Sequence, residues 1–577
     1  MNTLPFAPCT TPRPWLSSYP AGMPTDIEAE AARHASLVEL MESAFERHGK
    51  RTAYSFLGKR FSYADIDRLS RYFAAYLQSL GLRRGERVAV MLPNIVQYPI
   101  VAAAVLRTGL VLVNTNPLYT ARELQHQLQD SGAKAIVALE QCATTLQQCL
   151  AHTAVEHIVL ARIGDQLGFL QGMAANWMVR RRQKDQPSTG WHLPQAIGFN
   201  HALNLGRKCH FQPPSLAQHD LALLQYTGGT TGVSKAAMLT HGNLIANTLQ
   251  STAWNRPALQ GLAADEVCTT VCALPLYHIF AFTVGLLMSL HQGGTLVLIP
   301  DPRDMTAMLR ELQRHRIHIF PAVNTLFNGL LRHPDFDTVN WQHLRLCGGG
   351  GMAVQPSVAQ EWLERTGCAI CEGYGLTEAS PSVACNLVTT RQFSGTIGLP
   401  LPGTHMQCVD ERGHAVAAGV AGEIAIRGPQ LMQGYWQRPQ ETAEAMTADG
   451  YFLTGDIGIM DEQGIFRIVD RKKDMILVSG FNVYPNEIEH VVQQLPGVRE
   501  CAVVGVPDAQ SGEAVKLVVV LRHDVPHALG EAALRHYLKN HLTAYKRPRH
   551  IEFRQSLPKN TVGKILRRAL RDEETQG

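Results

Sequence analysis

A glycine- and threonine-rich run in the middle of the chain has the residue types that bind phosphate. It consists of Thr227, Gly228, Gly229, Thr230, Thr231, Gly232, Val233, Ser234 and Lys235. Glycine lets the backbone approach a polyphosphate closely, hydroxyl groups and main-chain amides donate hydrogen bonds to its oxygens, and Lys235 adds a positive charge. The P-loop of NTPases needs a glycine before the lysine and Ser or Thr after it, whereas Ser234 precedes Lys235 and Ala236 follows. The spacing therefore predicts a phosphate-binding loop of another class.

Two further glycine-rich stretches are suited to a nucleotide and its metal ion. The first contains Gly349 and Gly350, and the second consists of Gly373, Tyr374, Gly375, Leu376, Thr377 and Glu378. A tyrosine between glycines can lie flat against a purine, Thr377 can donate to an α-phosphate, and Glu378 can bind Mg²⁺ as one of few protein ligands. Alone, the second stretch is equally typical of an ordinary loop. Together with the phosphate loop, it predicts binding of a nucleotide and Mg²⁺.

An acidic and a basic residue further along the chain have the chemistry to hold a ribose. Asp456 can accept hydrogen bonds from both ribose hydroxyls, and Arg471 can donate to the ribose from a neighbouring strand end. By itself, the basic run from Arg471 to Lys473 is also typical of a solvated turn. With the phosphate loop, Asp456 and Arg471 indicate an enzyme that consumes ATP.

The elements that must position these residues alternate between apolar strands and amphipathic helices before residue 400. A helix is predicted at residues 98–105, and Thr240 is predicted to cap another. Buried strands are predicted at residues 87–92, 110–113, 135–138, 221–226, 295–299 and 317–320. This alternation predicts the α/β class, and short strands with turn signals between residues 395 and 470 predict a small β-rich subdomain.

After Lys473 the pattern starts afresh and predicts a separate α+β unit. Strands are predicted at residues 475–478, 501–506 and 515–521, with helices at 486–495 and 531–542. A unit of about a hundred residues is large enough to fold alone. We therefore predict a large N-terminal domain, residues 1–472, and a small mobile C-terminal domain, residues 473–577.

Composition excludes several classes of protein. The chain has 577 residues with a net charge of +4, which gives no reason to expect a nucleic-acid partner. No apolar run reaches the roughly 18 residues of a membrane-spanning helix, and no export signal is expected at the N-terminus. The 12 cysteines are scattered, which favours a reducing cytoplasm, and Cys368 and Cys371 are expected in a buried strand rather than at a metal.

One segment departs from the α/β pattern. Its large apolar residues have near-helical spacing, and a basic run from Arg180 to Lys184 follows them. These apolar residues are Leu167, Phe169, Leu170, Met173, Trp177 and Met178. Such a helix suits the surface of a membrane, here the inner membrane, with its basic end on anionic lipid. The alternative is an ordinary helix packed on the domain with a solvated basic end.

The combined motifs resemble those of bacterial long-chain fatty acyl-CoA synthetases, members of the adenylate-forming superfamily. The resemblance runs through nearly the whole chain and is densest at residues 449–456, 470–473 and 480–489. The runs at 116–119 and 274–278 look closest to the fatty acyl branch. Ala236 is a mild departure, since the superfamily usually has glycine after the loop lysine.

The resemblance implies roles that the residues alone do not reveal. Residues 227–232, 234 and 235, with Gly349, Gly350, Gly373, Tyr374, Gly375, Thr377, Asp456, Arg471, Lys473 and Lys564, would bind ATP. Thr227 and Glu378 would hold Mg²⁺ and take part in catalysis. His278 would lie beside the carboxyl group being activated, and Phe282 would gate an alkyl pocket. Lys473 would be the domain hinge, Lys564 the catalytic lysine of the small domain, and Gly480 would contact CoA.

The implied reaction is the ATP-dependent activation of long-chain fatty acids to acyl-CoA through an acyl-adenylate. We expect a homodimer in the cytoplasm with fatty acid, ATP and CoA as partners. A CoA ligase for medium-chain or aryl acids, or a ligase that loads a carrier protein, is an alternative. A lipid-binding protein without activity is a further one, against which the complete set of Lys235, Glu378, Asp456 and Lys564 argues.

Overall fold

The structure, a computed structural model, describes residues 13–182, 190–227, 234–263, 266–478, 481–508, 511–522, 530–559 and 563–575. The chain divides into two compact units. The larger unit contains Asp26–Gly395 and Gly428–Glu444. The smaller unit contains Met1–Thr25, Thr396–Arg427 and Ala445–Gly577. The division predicted at Lys473 stays a prediction.

The first sheet of the larger unit has seven strands and ends at the phosphate loop. In spatial order they are Ala196–Gly198, His157–Ala161, Ala135–Leu139, Arg87–Met91, Val111–Asn114, Leu221–Tyr226 and Ala236–Thr240. All neighbours are parallel except the last pair, which is antiparallel. The predicted strands are present here with ends shifted by a residue or two.

The second sheet of the larger unit contains the other two glycine-rich stretches. In spatial order its strands there are Ser382–Cys385, Ile370–Gly375, Leu346–Gly349, Ile319–Ala322, Thr269–Cys272, Thr295–Leu298, Thr52–Phe56 and Lys59–Ser62. The inner pairs are parallel, and the pair at each end is antiparallel. Cys371 lies buried in a strand, as predicted, whereas Cys368 lies two residues before that strand and is only partly buried, so the prediction is wrong for Cys368.

Helices cover and join these sheets. They are Glu28–Ala31, Leu37–His48, Tyr63–Ser79, Gln97–Arg107, Ala121–Ser131, Ala143–Leu150, Phe169–Arg182, Phe199–Gly206, His241–Asn255, Met288–Gln292, Met305–Leu312, Asn324–Leu331, Pro356–Thr366 and Pro439–Glu444, with a π-helix at Ala281–Leu287. Every residue of Gln97–Arg107 is buried, as expected for a helix that is apolar on all sides. Thr240 caps His241–Asn255, and its side chain accepts from the Asn243 N–H, which confirms the predicted cap.

The smaller unit is richer in strand. Its four-stranded antiparallel sheet has the order His405–Val409, Gly422–Arg427, Phe452–Met460 and Phe466–Arg471, and Leu399–Pro400 is a further short strand. Its five-stranded sheet contains Phe481–Val483, Ile476–Val478, Gly512–Leu521, Val498–Asp508 and His550–Arg554. Its helices are Pro485–Gln493, Glu531–His541 and Arg567–Thr575. The α/β class, the β-rich part and the C-terminal α+β part are thus confirmed.

The helix Phe169–Arg182 presents its large apolar residues to solvent. Side chains on its other face pack on the unit: Ala175 is buried, and the Asn176 amide oxygen accepts from the Gly164 N–H at 2.8 Å. Leu167, just before the helix, is also buried. Phe169, Leu170, Met173, Trp177 and Met178 are between 52% and 78% exposed. Five of the six apolar residues of the predicted face are therefore exposed, and Leu167 instead packs into the domain.

Within the described part of the chain, no helix combines the length and the apolar character needed to cross a bilayer.

Candidate active site

The two ends of the phosphate loop are held together by hydrogen bonds. The Thr227 N–H donates to the Lys235 carbonyl at 2.8 Å, and the Ser234 hydroxyl donates to the Thr227 carbonyl. Tyr226 and Ala236 pair in the antiparallel strands just outside. The strands thus close the loop at its base. Gly228, Gly229, Thr230, Thr231 and Gly232 lie outside the described residues.

Lys235 and Glu378 meet at the same tyrosine. Glu378 lies in the 3₁₀ turn Thr377–Ala379, and its Oε1 accepts from the Tyr435 hydroxyl at 2.7 Å. The Lys235 ammonium lies over the Tyr435 ring, 5.2 Å from the centroid, within the range of a cation–π interaction. The structure therefore brings together two residues that are far apart in sequence. We did not predict Tyr435, whose short stretch Gly434 to Trp436 has no spacing typical of a site.

Packing requires glycine at Gly375, next to Tyr374, and at Gly349 in the neighbouring strand. A Cβ on Gly375 would lie 2.2 Å from the Pro381 carbonyl oxygen, and one on Gly349 would lie 2.8 Å from methyl groups of Ile370 and Val354. Tyr374 lies in the strand between Gly373 and Gly375 and pairs with Ala384. These close approaches keep Tyr374 and Thr377 next to a tightly packed strand.

The apolar segment around His278 contacts two of the elements that carry candidate residues. Burial lowers the pKa of His278 to about 4, so its imidazole is neutral at pH 7. The Phe280 ring contacts Gly350: a Cβ there would lie 3.0 Å from the ring. Phe280, which was not among the predicted site residues, thus lies beside Gly350. The side chain of Gln225 donates to the Tyr277 carbonyl at 3.1 Å and links this segment to the phosphate-loop strand.

Phe282 is fully buried and lines a narrow apolar cavity inside the core of the larger unit. The cavity lies among helices of the larger unit and the π-helix Ala281–Leu287. Its other lining residues are Met41, Phe45, Tyr54, Ile66, Pro99, Ala102, Ala103, Leu106, Leu286, Leu287 and Leu290. Almost every lining atom is carbon, which suits an alkyl group. π-helical turns are frequent at functional sites.

The remaining described candidates lie in the smaller unit. Asp456 and Arg471 are opposite each other on antiparallel strands, and their side chains form an ion pair at 2.9 Å. Lys564 lies within electrostatic range of both: burial, then Arg471, lowers its pKa to about 8, while Asp456 opposes the shift. Burial also lowers the pKa of Lys473, with Arg471 as the next cause. Gly480 lies outside the described residues.

The predicted residues thus form two groups. In the larger unit they lie in or beside the phosphate-loop strands, the Glu378 turn and the His278 segment. In the smaller unit they lie at and around Asp456. Across the described ranges no three His, Cys, Asp or Glu side chains are close enough to hold a metal ion together. Glu378 as a lone carboxylate fits Mg²⁺, which keeps few protein ligands where phosphates supply the others.

Comparison with known proteins gives a consistent family. Residues 41–436 match the AMP-binding enzyme family, and residues 487–564 match the AMP-binding enzyme C-terminal domain. The chain is 49% identical over 560 residues to the long-chain-fatty-acid–CoA ligase of Salmonella typhimurium, covering 97% of this chain and 98% of that one. It is 36% identical to the ligase of the same name from Bacillus subtilis, over 98% of both chains.

Solved structures agree in fold. ATP-bound MatB from Rhodopseudomonas palustris superposes with a TM-score of 0.78 at 28% identity, over 93% of this chain and 98% of that one. A Mycobacterium tuberculosis fatty acyl CoA synthetase gives a TM-score of 0.67 at 26% identity, over 94% and 99%. With a family match across most of the chain and near-complete coverage by relatives, this chain belongs to the AMP-binding enzyme family, among its long-chain-fatty-acid–CoA ligases.

Proposed function

We propose that this enzyme activates long-chain fatty acids in two steps. A carboxylate oxygen of the acid attacks the α-phosphorus of ATP, the α–β phosphoanhydride bond breaks, and pyrophosphate leaves. The sulfur of CoA then attacks the acyl carbonyl carbon, AMP leaves, and the thiol proton passes to solvent. The observation that carries the proposal is the meeting of Lys235 and Glu378 at Tyr435, in a chain whose relatives are named for this reaction.

Adenylation brings two anions together, so the site must supply positive charge. We propose that the phosphate loop with Lys235 holds the ATP phosphates, and that Thr227 and Glu378 hold Mg²⁺, which neutralises phosphate charge when bound. Tyr374 would lie against adenine between Gly373 and Gly375, with Gly349 and Gly350 beside it. Thr377 would donate to the α-phosphate. Asp456 and Arg471 would bind the ribose, and their ion pair keeps both side chains oriented.

The C-terminal residues would serve the two steps in turn. We propose domains at 1–472 and 473–577 with Lys473 as the hinge, Lys564 as the cation of adenylation, and the segment at Gly480 as a contact for CoA. The electrostatic coupling of Lys564 to Asp456 and Arg471 supports a role beside the ribose. Asp456 offsets only part of the desolvation of Lys564, so a bound phosphate would stabilise its ammonium further.

The apolar cavity beside Phe282 would receive the alkyl chain. His278, held neutral, would lie beside the acid carboxylate without attracting a second anion. An alkyl acid suits a lining of Leu, Ile, Met, Ala and Phe better than an acid with polar ring substituents. This favours fatty acids over the aryl-acid alternative.

The exposed face of Phe169–Arg182 would bring the enzyme to the membrane that holds its apolar substrate. Its five exposed apolar side chains, followed in sequence by Arg180, Arg181 and Arg182, suit an interface with anionic lipid. Arg181 lies 5.2 Å from the centre of the Trp177 ring, so one basic group accompanies an aromatic anchor. A cytoplasmic location and a homodimer stay predictions.

Acid-dependent formation of AMP tests the function directly. With ATP, hexadecanoate and CoA, we expect AMP and acyl-CoA to form in equal amounts. With ATP and hexadecanoate but no CoA, we expect exchange of pyrophosphate into ATP. Glu378→Ala should reduce exchange by orders of magnitude, because phosphate charge loses its metal anchor. Glu364→Ala, which removes an exposed carboxylate from Pro356–Thr366, is the matched control. Near-normal exchange in a folded Glu378→Ala variant would contradict the assigned role.

A further inference from the structure

A short segment, residues 432–436, ties the phosphate loop to the Glu378 turn. The Met238 N–H donates to the Gly434 carbonyl at 2.9 Å, and the Trp436 N–H donates to the Ala236 carbonyl at 2.8 Å. The segment therefore forms an antiparallel β-bridge with the strand Ala236–Thr240, which follows the phosphate loop. At its start, the Met432 N–H donates to the Glu378 carbonyl at 2.8 Å. One backbone stretch thus contacts both elements that would surround the nucleotide phosphates.

The side chain of Tyr435 connects the same two elements through their charged side chains, Lys235 and Glu378. Its backbone is fixed, since its N–H donates to the Thr442 hydroxyl at 2.9 Å and Ala237 pairs with it in a β-bridge. Its hydroxyl donates to Glu378 Oε1, and the Lys235 ammonium lies over its ring. Because a carboxylate can only accept, the Tyr435 hydroxyl is the donor in its bond to Glu378.

We infer that Tyr435 is a positioning residue that fixes the Glu378 carboxylate in its metal-binding orientation and holds Lys235 beside it. The inference rests on the proposed function of Glu378 and Lys235. A carboxylate that accepts one oriented hydrogen bond has already lost rotational freedom. Binding of a metal ion therefore costs less side-chain conformational entropy. Partners of this kind behind a metal ligand typically contribute 10- to 100-fold in metal affinity.

Tyr435→Phe separates the hydroxyl from the ring. It keeps the ring under Lys235 and the backbone bonds of the segment, and removes only the donor to Glu378. We expect the Mg²⁺ concentration for half-maximal pyrophosphate exchange to rise about tenfold. Tyr435→Leu also removes the ring, and we expect it to weaken ATP binding in EDTA, where only Lys235 and the loop act.

Tyr226→Phe is the matched control. Tyr226 also donates its hydroxyl to a carboxylate, Asp130, at 2.7 Å, and lies in the strand paired with Ala236–Thr240. Loss of the Tyr226 hydroxyl should lower the melting temperature about as much as loss of the Tyr435 hydroxyl. It should leave the Mg²⁺ dependence of pyrophosphate exchange unchanged. If the strands were merely loosened, the Mg²⁺ dependence of Tyr226→Phe and of Tyr435→Phe would shift by the same amount.

Calorimetric ATP binding gives a readout independent of turnover. Tyr435→Phe should weaken ATP binding in the presence of Mg²⁺ and leave binding in EDTA unchanged. In a Glu378→Gln background, Tyr435→Phe should cause no further shift. Superimposable Mg²⁺ titrations of Tyr435→Phe and the unmodified enzyme would overturn the inference. Unchanged Mg²⁺ dependence of Glu378→Gln would instead overturn the proposed role of Glu378, so the two failures are distinguishable.

Discussion

At the scale of single residues, the candidate site depends on charges that the surrounding protein holds in place. Glu378 and Lys235 share Tyr435, and Asp456 is paired with Arg471. Lys564 differs, because its environment disfavours its charge and lowers its pKa. An arriving anion stabilises a poorly solvated ammonium more than a well-solvated one. Electrostatic catalysis requires such an interaction with the charge that develops in the reaction.

Adenylation should lose rate as the pH rises through about 8. The pKa of Lys564 is lowered to about 8, so the ammonium is present below that pH and lost above it. Single-turnover formation of acyl-adenylate between about pH 6.5 and 9.5 measures the fall. Lys564→Arg keeps its charge at these pH values and should move the fall upward. A profile that is the same in both proteins would contradict the assignment to Lys564.

At the scale of elements, two features of the larger unit go beyond the nucleotide site. The helix Phe169–Arg182 exposes an apolar face, and the π-helix Ala281–Leu287 lines an apolar cavity. The apolar side chains of the first face solvent, and those of the second surround a narrow cavity inside the hydrophobic core. We connect both to a substrate with a long alkyl chain.

Replacing Arg180, Arg181 and Arg182 by Gln should reduce sedimentation with anionic vesicles severalfold and leave kinetics on short soluble acids intact. Each basic residue near an anionic surface contributes about 1 kcal/mol, and salt screens the attraction. Lys539→Gln, on the helix Glu531–His541, is a control for loss of charge elsewhere. Unchanged sedimentation of the triple variant would mean another surface or no membrane role.

Ala103→Leu should shift the substrate preference to shorter acids. Ala103 lines the cavity from the buried helix Gln97–Arg107, and a larger side chain there removes space for the alkyl end. We expect kcat/KM for hexadecanoate to fall about tenfold relative to octanoate in the same variant. Overpacking also costs about 1–3 kcal/mol of stability, so the ratio of two substrates is the measurement, not the absolute rate. An unchanged ratio would place the alkyl chain elsewhere.

At the scale of the whole molecule, the proposed division at Lys473 makes the two half-reactions separable. If the C-terminal domain presents Lys564 for adenylation and the segment at Gly480 for thioester formation, each step needs a different orientation. Motions of this kind commonly limit turnover. Lys564, which lies near Asp456 and Arg471, then belongs to only one of the two steps.

Lys564→Ala and Lys473→Pro should have opposite defects. Lys564→Ala should lose acyl-adenylate formation but still convert supplied acyl-adenylate and CoA to thioester. Lys473→Pro should form acyl-adenylate and fail in the second step, because proline fixes φ near about −65° and stiffens the joint. Rapid-quench assays of each half-reaction measure this. Equal losses of both steps in both folded variants would mean one static site.

The sequence by itself determined the fold class, the order of elements and most candidate residues. Thr240 caps a helix and residues 221–226 form a strand because capping and apolar periodicity are local properties. Local pattern did not show that Tyr435 meets Glu378, that Phe280 contacts Gly350, or that the apolar face of Phe169–Arg182 points to solvent. These contacts join residues distant in the chain, or depend on which helix face packs inward. Only the tertiary structure decides them, because side chains far apart in sequence become neighbours only when sheets and helices have packed.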